Sequence, residues 1–227
     1  MKLDEQKDHV VTTYKSVNGI LLQLHMFYPG DLKKEERRPA IAIFHGGGWT
    51  IGNYSWAFNN ARHYSSLGMI GIAVQYRLSN RKDITPVDAM QDAKDVFLWL
   101  RTHADSLGID PDKIAGEGWS AGGHLVVSTA VFADILPNRI NSAPNALILK
   151  SPALDTDPEH EGWFKSLLVK PGEDPLKLSP LLHVVKGLPI PPTLILQGRT
   201  DRVTPTIYAQ QFYDKMTALQ YPCELEI

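Results

Sequence analysis

Hydrophobic positions along the chain fall into two rhythms. Near the start, "HVVTTYKSV" and "GILLQLHMFYP" flank Asn18-Gly19. Short runs of β character around Asn-Gly predict an antiparallel hairpin, because both residues of that dipeptide tolerate the left-handed conformation of a tight turn. A charged stretch, "GDLKKEERRP", follows as a solvated connection. Beyond it the rhythm changes to near-continuous apolar runs: "AIAIFHG" (40–46), "GMIGIAVQY" (68–76), "KIAGEGWS" (113–120), "NALILKSP" (145–152) and "PTLILQG" (192–198). Strands covered on both faces read this way, so a parallel central sheet is predicted. The closing "YPCELEI" has the alternation expected of a last strand.

Helical spacing separates these runs. "TPVDAMQDAKDVFLWLRTHADSLG" carries Pro86 near its start, apolar Val87, Met90, Val96 and Leu100, and Gly108 as a stop. "SAGGHLVVSTAVFAD" follows one strand directly, and "TPTIYAQQFYDKMTALQ" follows the last internal one. The alternation predicts an α/β fold with helices flanking the sheet. Residues 152–190, rich in Pro, Asp and Leu, are too long for an ordinary connection and are expected to form a lid-like insertion. No internal repeat or low-complexity tract interrupts the pattern.

Composition narrows the class. With 227 residues, 43% apolar and 21% charged, one domain over 1–227 is expected. A formal charge of −2 offers no general field for nucleic acid or anionic lipid, so a small-molecule or neutral-polymer partner is expected. Cys223, the single cysteine, has no partner for an internal disulfide. The opening residues lack an apolar leader core, and no run approaches the roughly 18 apolar residues of a membrane span. A cytoplasmic protein is the default expectation, or a secreted or periplasmic one if a signal peptide has been removed; nothing fixes the oligomeric state.

Two motifs carry the candidate chemistry. "GEGWSAGGH" (116–124) contains G-x-S-x-G between a strand and a helix. Gly118 and Gly122 allow the sharp turn that lifts Ser120 above the sheet edge as a nucleophile; the plainer reading is a serine capping the next helix. "IFHGGGWTIG" ends an earlier strand with three glycines, whose N–H groups are unshielded by side chains. The N–H groups of Gly47, Gly48 and Ala121 are assigned to binding a developing oxyanion. Trp49 and Trp119, with Tyr54 and Trp56, are candidates for a substrate pocket, although aromatics near strand ends are as often core.

In order and spacing, "HGGGW", "VQYRLS", "DAMQDAKDVFLWL" and "GIDPDKIAGEGWSAGGHL" resemble the α/β-hydrolase carboxylesterases related to hormone-sensitive lipase, closest to small acetyl-xylan and feruloyl esterases. The resemblance covers roughly residues 38–215. It implies an eight-stranded, mostly parallel sheet, serine ester hydrolysis, no cofactor and no metal. It also implies that Asp201, in "LILQGRTDRVTP", is the triad carboxylate, with Asp155 of "SPALDTD" as the competing acid. The large N-terminal helical cap of the lipase-like members has no counterpart, which implies a more open site.

The base is the departure. In this fold the triad runs Ser, Asp, His, yet no histidine follows Asp201. His124 lies one helical turn beyond Ser120 and is expected to pack inward; His45 is expected to brace the glycine loop, and Arg77 to bond nearby loops. His160 and His183 approach the site only if the 152–190 segment folds over it. The expectation is that the given chain ends just before its catalytic histidine. Two other readings stay open: an arylformamidase-like amide hydrolase, and a binding module that keeps the pocket without the base.

Overall fold

A computed structural model describes residues 8–81, 83–132, 142–157 and 174–227. Its strands are β1 (Val10–Val17), β2 (Ile20–Phe27), β3 (Arg38–Phe44), β4 (Ile70–Val74), β5 (Ile109–Ser120), β6 (Ala146–Pro152), β7 (Thr193–Leu196) and β8 (Cys223–Glu226). Its helices are α1 (Phe58–Ser66), α2 (Pro86–Thr102), α3 (Ala104–Leu107), α4 (Ala121–Val131), α5 (Pro180–His183) and α6 (Thr206–Ala218). All eight strands join one sheet in the order β1-β2-β4-β3-β5-β6-β7-β8.

The hairpin forms as its turn residues require: Val17 pairs with Ile20, and Asn18 (φ 49°) and Gly19 (φ 77°) both occupy the left-handed region. β2 then pairs antiparallel with β4, and β3 through β8 are parallel. The apolar runs explain this arrangement, since Ile41, Ala42, Ile43, Ile72 and Ala73 are fully buried on alternate faces. A fully buried side chain of this size stabilises the fold by about 1.5–3 kcal/mol.

Each helix has its local cause. α2 starts at Pro86, and the Asp88 carboxylate accepts the Thr85 N–H at 2.8 Å. It ends at Thr102 with His103 as its C-cap, earlier than the sequence suggests, and the short α3 carries the chain to Gly108, which caps it at φ 67°. α1 is the helix that the hydrophobic pattern does not announce, because its one fully buried residue is Ala61. It reaches the sheet by backbone approach instead: a Cβ on Gly71 of β4 would collide with the Ala61 main chain.

Arg77, just past β4, fixes that strand to α2. Its Nε and Nη2 reach the two Asp92 oxygens at 2.8 Å each, and Nη1 reaches Asp88 at 2.8 Å. Asp92 is fully buried and also pairs with Lys15 of β1. The structural role expected for Arg77 is therefore what the geometry shows.

The segment leading to β7 is not suspended over the sheet where it is described. Leu178, Val184 and Ile190 are buried in the main core. The middle of the expected lid, residues 158–173, lies outside the described residues. No helix among the described residues is long and apolar enough to cross a membrane.

Candidate active site

Parallel strands present their carboxyl ends along one edge, and the crevice there is where open α/β sheets bind ligands. Phe44 pairs with Gly118, so the glycine loop after β3 and the turn after β5 emerge side by side.

Ser120 sits at that turn with φ 52° and ψ −122°. A non-glycine residue held there stores on the order of 1–3 kcal/mol of strain, which the surrounding packing must enforce. The flanking glycines show how. A Cβ on Gly118 would overlap the Gly122 carbonyl, and a Cβ on Gly122 would overlap the carbonyl oxygen of Phe44. Gly123 is pressed against Pro152, whose side chain would lie 2.8 Å from an added Cβ. Strand and helix therefore meet without side chains between them, and the seryl residue is left on the outside of the bend. It is partly exposed, and its Oγ makes no hydrogen bond among the described residues. It is not a capping serine: α4 shows no side-chain hydrogen bond from Ser120 at its start.

The glycine loop is equally determined. The Gly47 carbonyl accepts from Thr50 N at 3.1 Å and Ile51 N at 3.0 Å, which fixes its peptide planes. Gly47 (φ 119°) and Gly48 (φ 56°) are partly exposed, and neither N–H makes a hydrogen bond among the described residues. Ala121 opens α4, where the first amides have no intrahelical acceptor. His45 braces the loop from below, with Nδ1 donating to Gly46 O at 2.6 Å while the Tyr76 hydroxyl donates to His45 O at 2.8 Å. Burial lowers the pKa of its ring, and the bond to Gly46 only partly opposes this.

Asp201 belongs to a turn after β7. Oδ1 accepts the N–H groups of Val203 (2.8 Å) and Thr204 (3.0 Å), and Oδ2 lies 3.0 Å from the Thr204 hydroxyl. Burial pushes its pKa up, but the Thr204 N–H, the Ser151 hydroxyl and the Val203 N–H outweigh it, so the carboxyl lies below its ordinary range. Thr204 also meets the Ser151 carbonyl at 3.1 Å. Ser151 adjoins Pro152, which is the register partner of Ser120, so the carboxylate turn is docked onto the strand beside the elbow. Sequence reasoning missed Ser151 and Thr204; the D-x-x-T spacing was the available signal for the second. Asp155 is committed differently, accepting from Ser179 Oγ at 3.1 Å in a buried setting.

The two tryptophans separate. Trp119 is half-buried and covers Gly46, whose added Cβ would lie 2.8 Å from Trp119 Cδ1. Trp49 is fully buried, with its ring 5.0 Å from that of His124 at 89°. The chain turns sharply at Trp49 (φ 59°) and drives the indole into the core, which corrects the expectation that it faces substrate.

Among the described histidines, none forms a hydrogen bond or ion pair with Ser120 or Asp201. His124 is fully buried and donates from Nε2 to Leu178 O at 2.8 Å; burial lowers its pKa to about 4. His183 bonds Ser179 O through Nδ1 at 2.8 Å. His9 and His25 bond each other at 3.0 Å, and His103 stacks on Trp99. His160 lies outside the described residues.

A buried polar cluster also escaped the sequence reading. Glu117, three residues before Ser120, is fully buried and held by Asn60 Nδ2 (2.6 Å), the Tyr64 hydroxyl and Lys150 Nζ (2.8 Å). It ties α1 to β5 and β6 behind Trp119.

The bent Ser120, the glycine-loop amides and the Asp201 turn thus emerge at one edge of the sheet. Residues 41–226 match the model of the family described as alpha/beta hydrolase fold, and the chain belongs to that family. A probable carboxylic ester hydrolase, LipM, of Mycobacterium tuberculosis is 28% identical over 209 residues, covering 82% of this chain and 46% of that protein. An arylesterase of Saccharolobus solfataricus is 40% identical over 101 residues, 44% of this chain and 32% of the arylesterase. The chain thus spans less than half the length of these curated relatives. Among solved structures, Thermogutta terrifontis esterase 2 phosphoramylated by tabun superposes with a TM-score of 0.85 at 35% identity, covering 96% of this chain and 81% of that one.

Proposed function

We propose that the protein is a serine carboxylesterase. The observation that carries this reading is Ser120 held at φ 52° between two glycines that admit no side chain, beside a loop whose Gly47 and Gly48 amides make no hydrogen bond among the described residues. In the proposed reaction Ser120 Oγ attacks the ester carbonyl and its proton passes to a histidine outside the described residues. The carbonyl oxygen, now anionic, is bound by the N–H groups of Gly47, Gly48 and Ala121. Collapse expels the alcohol, which takes the proton back; water then repeats the sequence on the acyl-enzyme and frees the acid. Asp201 orients the imidazole and stabilises its charged form. Trp119 is assigned to the wall of the acyl or aryl pocket.

The relatives support ester chemistry: their names include a carboxylic ester hydrolase and an arylesterase, and the Thermogutta esterase is known with propionate and with butyrate bound. Short acyl groups are accordingly the proposed substrates, with acetyl or feruloyl groups on carbohydrate as the narrower version that the sequence resemblance suggests. Replacing Ser120 by alanine in the full-length protein is expected to abolish p-nitrophenyl acetate hydrolysis; turnover at the wild-type rate would refute the proposal. Acetyl, butyryl, feruloyl and xylan-acetate esters, with an aryl formamide, compared on the wild type, separate esterase from amidase specificity.

A further inference from the structure

A groove of about 250 Å³ opens beside the glycine loop, between the start of β2, the stretch after β4 and residues 52–54. It lies at the carboxyl edge of the sheet, on the side of the loop away from β5, and no acidic residue among the described residues lines it. Two arginines do. Arg77 is neutralised by Asp88 and Asp92. Arg81 is exposed, and its guanidinium makes no hydrogen bond or ion pair among the described residues. Among the described residues, the unbalanced charge of the groove is therefore the Arg81 guanidinium, capable of bidentate pairing with a carboxylate.

His45 lines the same groove although its residue is only 2% exposed. Nδ1 is engaged by Gly46 O, whereas Nε2 makes no hydrogen bond among the described residues. With the Nδ1 proton donated to the backbone, the neutral ring presents a lone pair at Nε2, suited to an O–H donor. Asn53 and Asn80 add exposed amides on the rim.

We propose that this groove is a substrate subsite for a carboxylate-bearing, hydroxylated part of the ester, with Arg81 as the counter-ion and His45 Nε2 as the hydroxyl acceptor. The proposal rests on the esterase reading for its catalytic consequence, but not for binding. Two substrate pairs place the charge on opposite sides of the scissile bond: p-nitrophenyl hemisuccinate against p-nitrophenyl butyrate, and 4-acetoxybenzoate against phenyl acetate. In the full-length protein, Arg81→Gln is expected to lower kcat/KM for the charged member of at least one pair roughly fivefold, with a smaller loss at high salt. The neutral members should stay unchanged, and Arg81→Glu should deepen the difference. Equal changes in charged and neutral members of both pairs would overturn the proposal.

Binding is read separately by titrating tartrate, a hydroxylated dicarboxylate, while following the His45 ring by NMR. A His45 shift that is lost in Arg81→Gln supports the subsite even if no ester is turned over, an outcome that would sink the esterase reading alone. No tartrate-dependent shift at His45, with ester hydrolysis intact, would sink the subsite alone.

Discussion

Gly122 and Phe44 leave no room for a methyl group between them: a Cβ at position 122 would overlap the Phe44 carbonyl oxygen. This contact seats the helix of the elbow against the strand that carries the glycine loop. Gly122→Ala must push α4 away from β3, and overpacking of this kind costs about 1–3 kcal/mol. The expected result is a lowered Tm together with a loss of kcat, because Ser120 and the Gly47 amide separate. An unchanged melting curve would mean that the backbones are not in contact.

The two acids near the site are expected to part company under substitution. Asp201→Asn removes the carboxylate proposed to orient the base and should lower kcat by about 10⁴-fold, the scale seen when a triad acid is made an amide. Asp155→Asn should act on stability instead, through its bond with Ser179. Steady-state kinetics and urea unfolding of both variants decide between them.

Asp201 also predicts an acid limb in stability. Its folded pKa is depressed below the unfolded value near 4, so its contribution is present above that value and fades as pH falls through the folded pKa. Urea unfolding between pH 5 and 2 should show a shallower decline in Asp201→Asn than in the wild type.

His124 has the opposite charge type and a higher window. It is buried neutral with a pKa of about 4, against about 6.5 in the unfolded chain. The unfolded state binds the proton first, so stability is full above pH 6.5 and falls progressively as the pH drops toward 4, by on the order of 3 kcal/mol. His124→Gln should flatten that slope in urea titrations at stepped pH while lowering stability at neutral pH.

Arg77 anchors a carboxylate with no exposure to water. Arg77→Ala leaves Asp92 with Lys15 and the backbone N–H of residue 77, and breaking a buried pair this way costs about 3–5 kcal/mol. Denaturant midpoints of Arg77→Ala and of Arg77→Ala combined with Asp92→Asn test it: the double variant should recover part of the loss.

How much of this was legible depends on what each residue's environment asks of it. The sheet could be read because strands buried on both faces must be apolar throughout, as in residues 40–44 and 70–74. The elbow could be read because Gly118 and Gly122 are forced by backbone contact, which no other residue type satisfies. α1 could not, because it approaches the sheet through Ala61 and Gly71, and small residues leave no periodic signal. Trp49 was misread for a related reason: an indole after a glycine turn looks the same whether it faces a ligand or the core, and only the φ of 59° sends it inward. The partners of Glu117 come from α1 and β6, separated from it by dozens of positions, so a charged residue in an apolar run gave no hint of its three bonds.

The imidazole of His124 joins segments that are remote along the chain. Its edge meets Trp49 of the glycine loop, its backbone belongs to the elbow helix, and its Nε2 grips the carbonyl of Leu178. Seating of the stretch around Leu178 and alignment of the anion-binding amides are therefore one mechanical variable. Hydrogen exchange at Thr50 and Ile51, whose N–H groups bond the Gly47 carbonyl, should accelerate in step with loosening near residue 178, although the two regions lie on different sides of the ring that couples them.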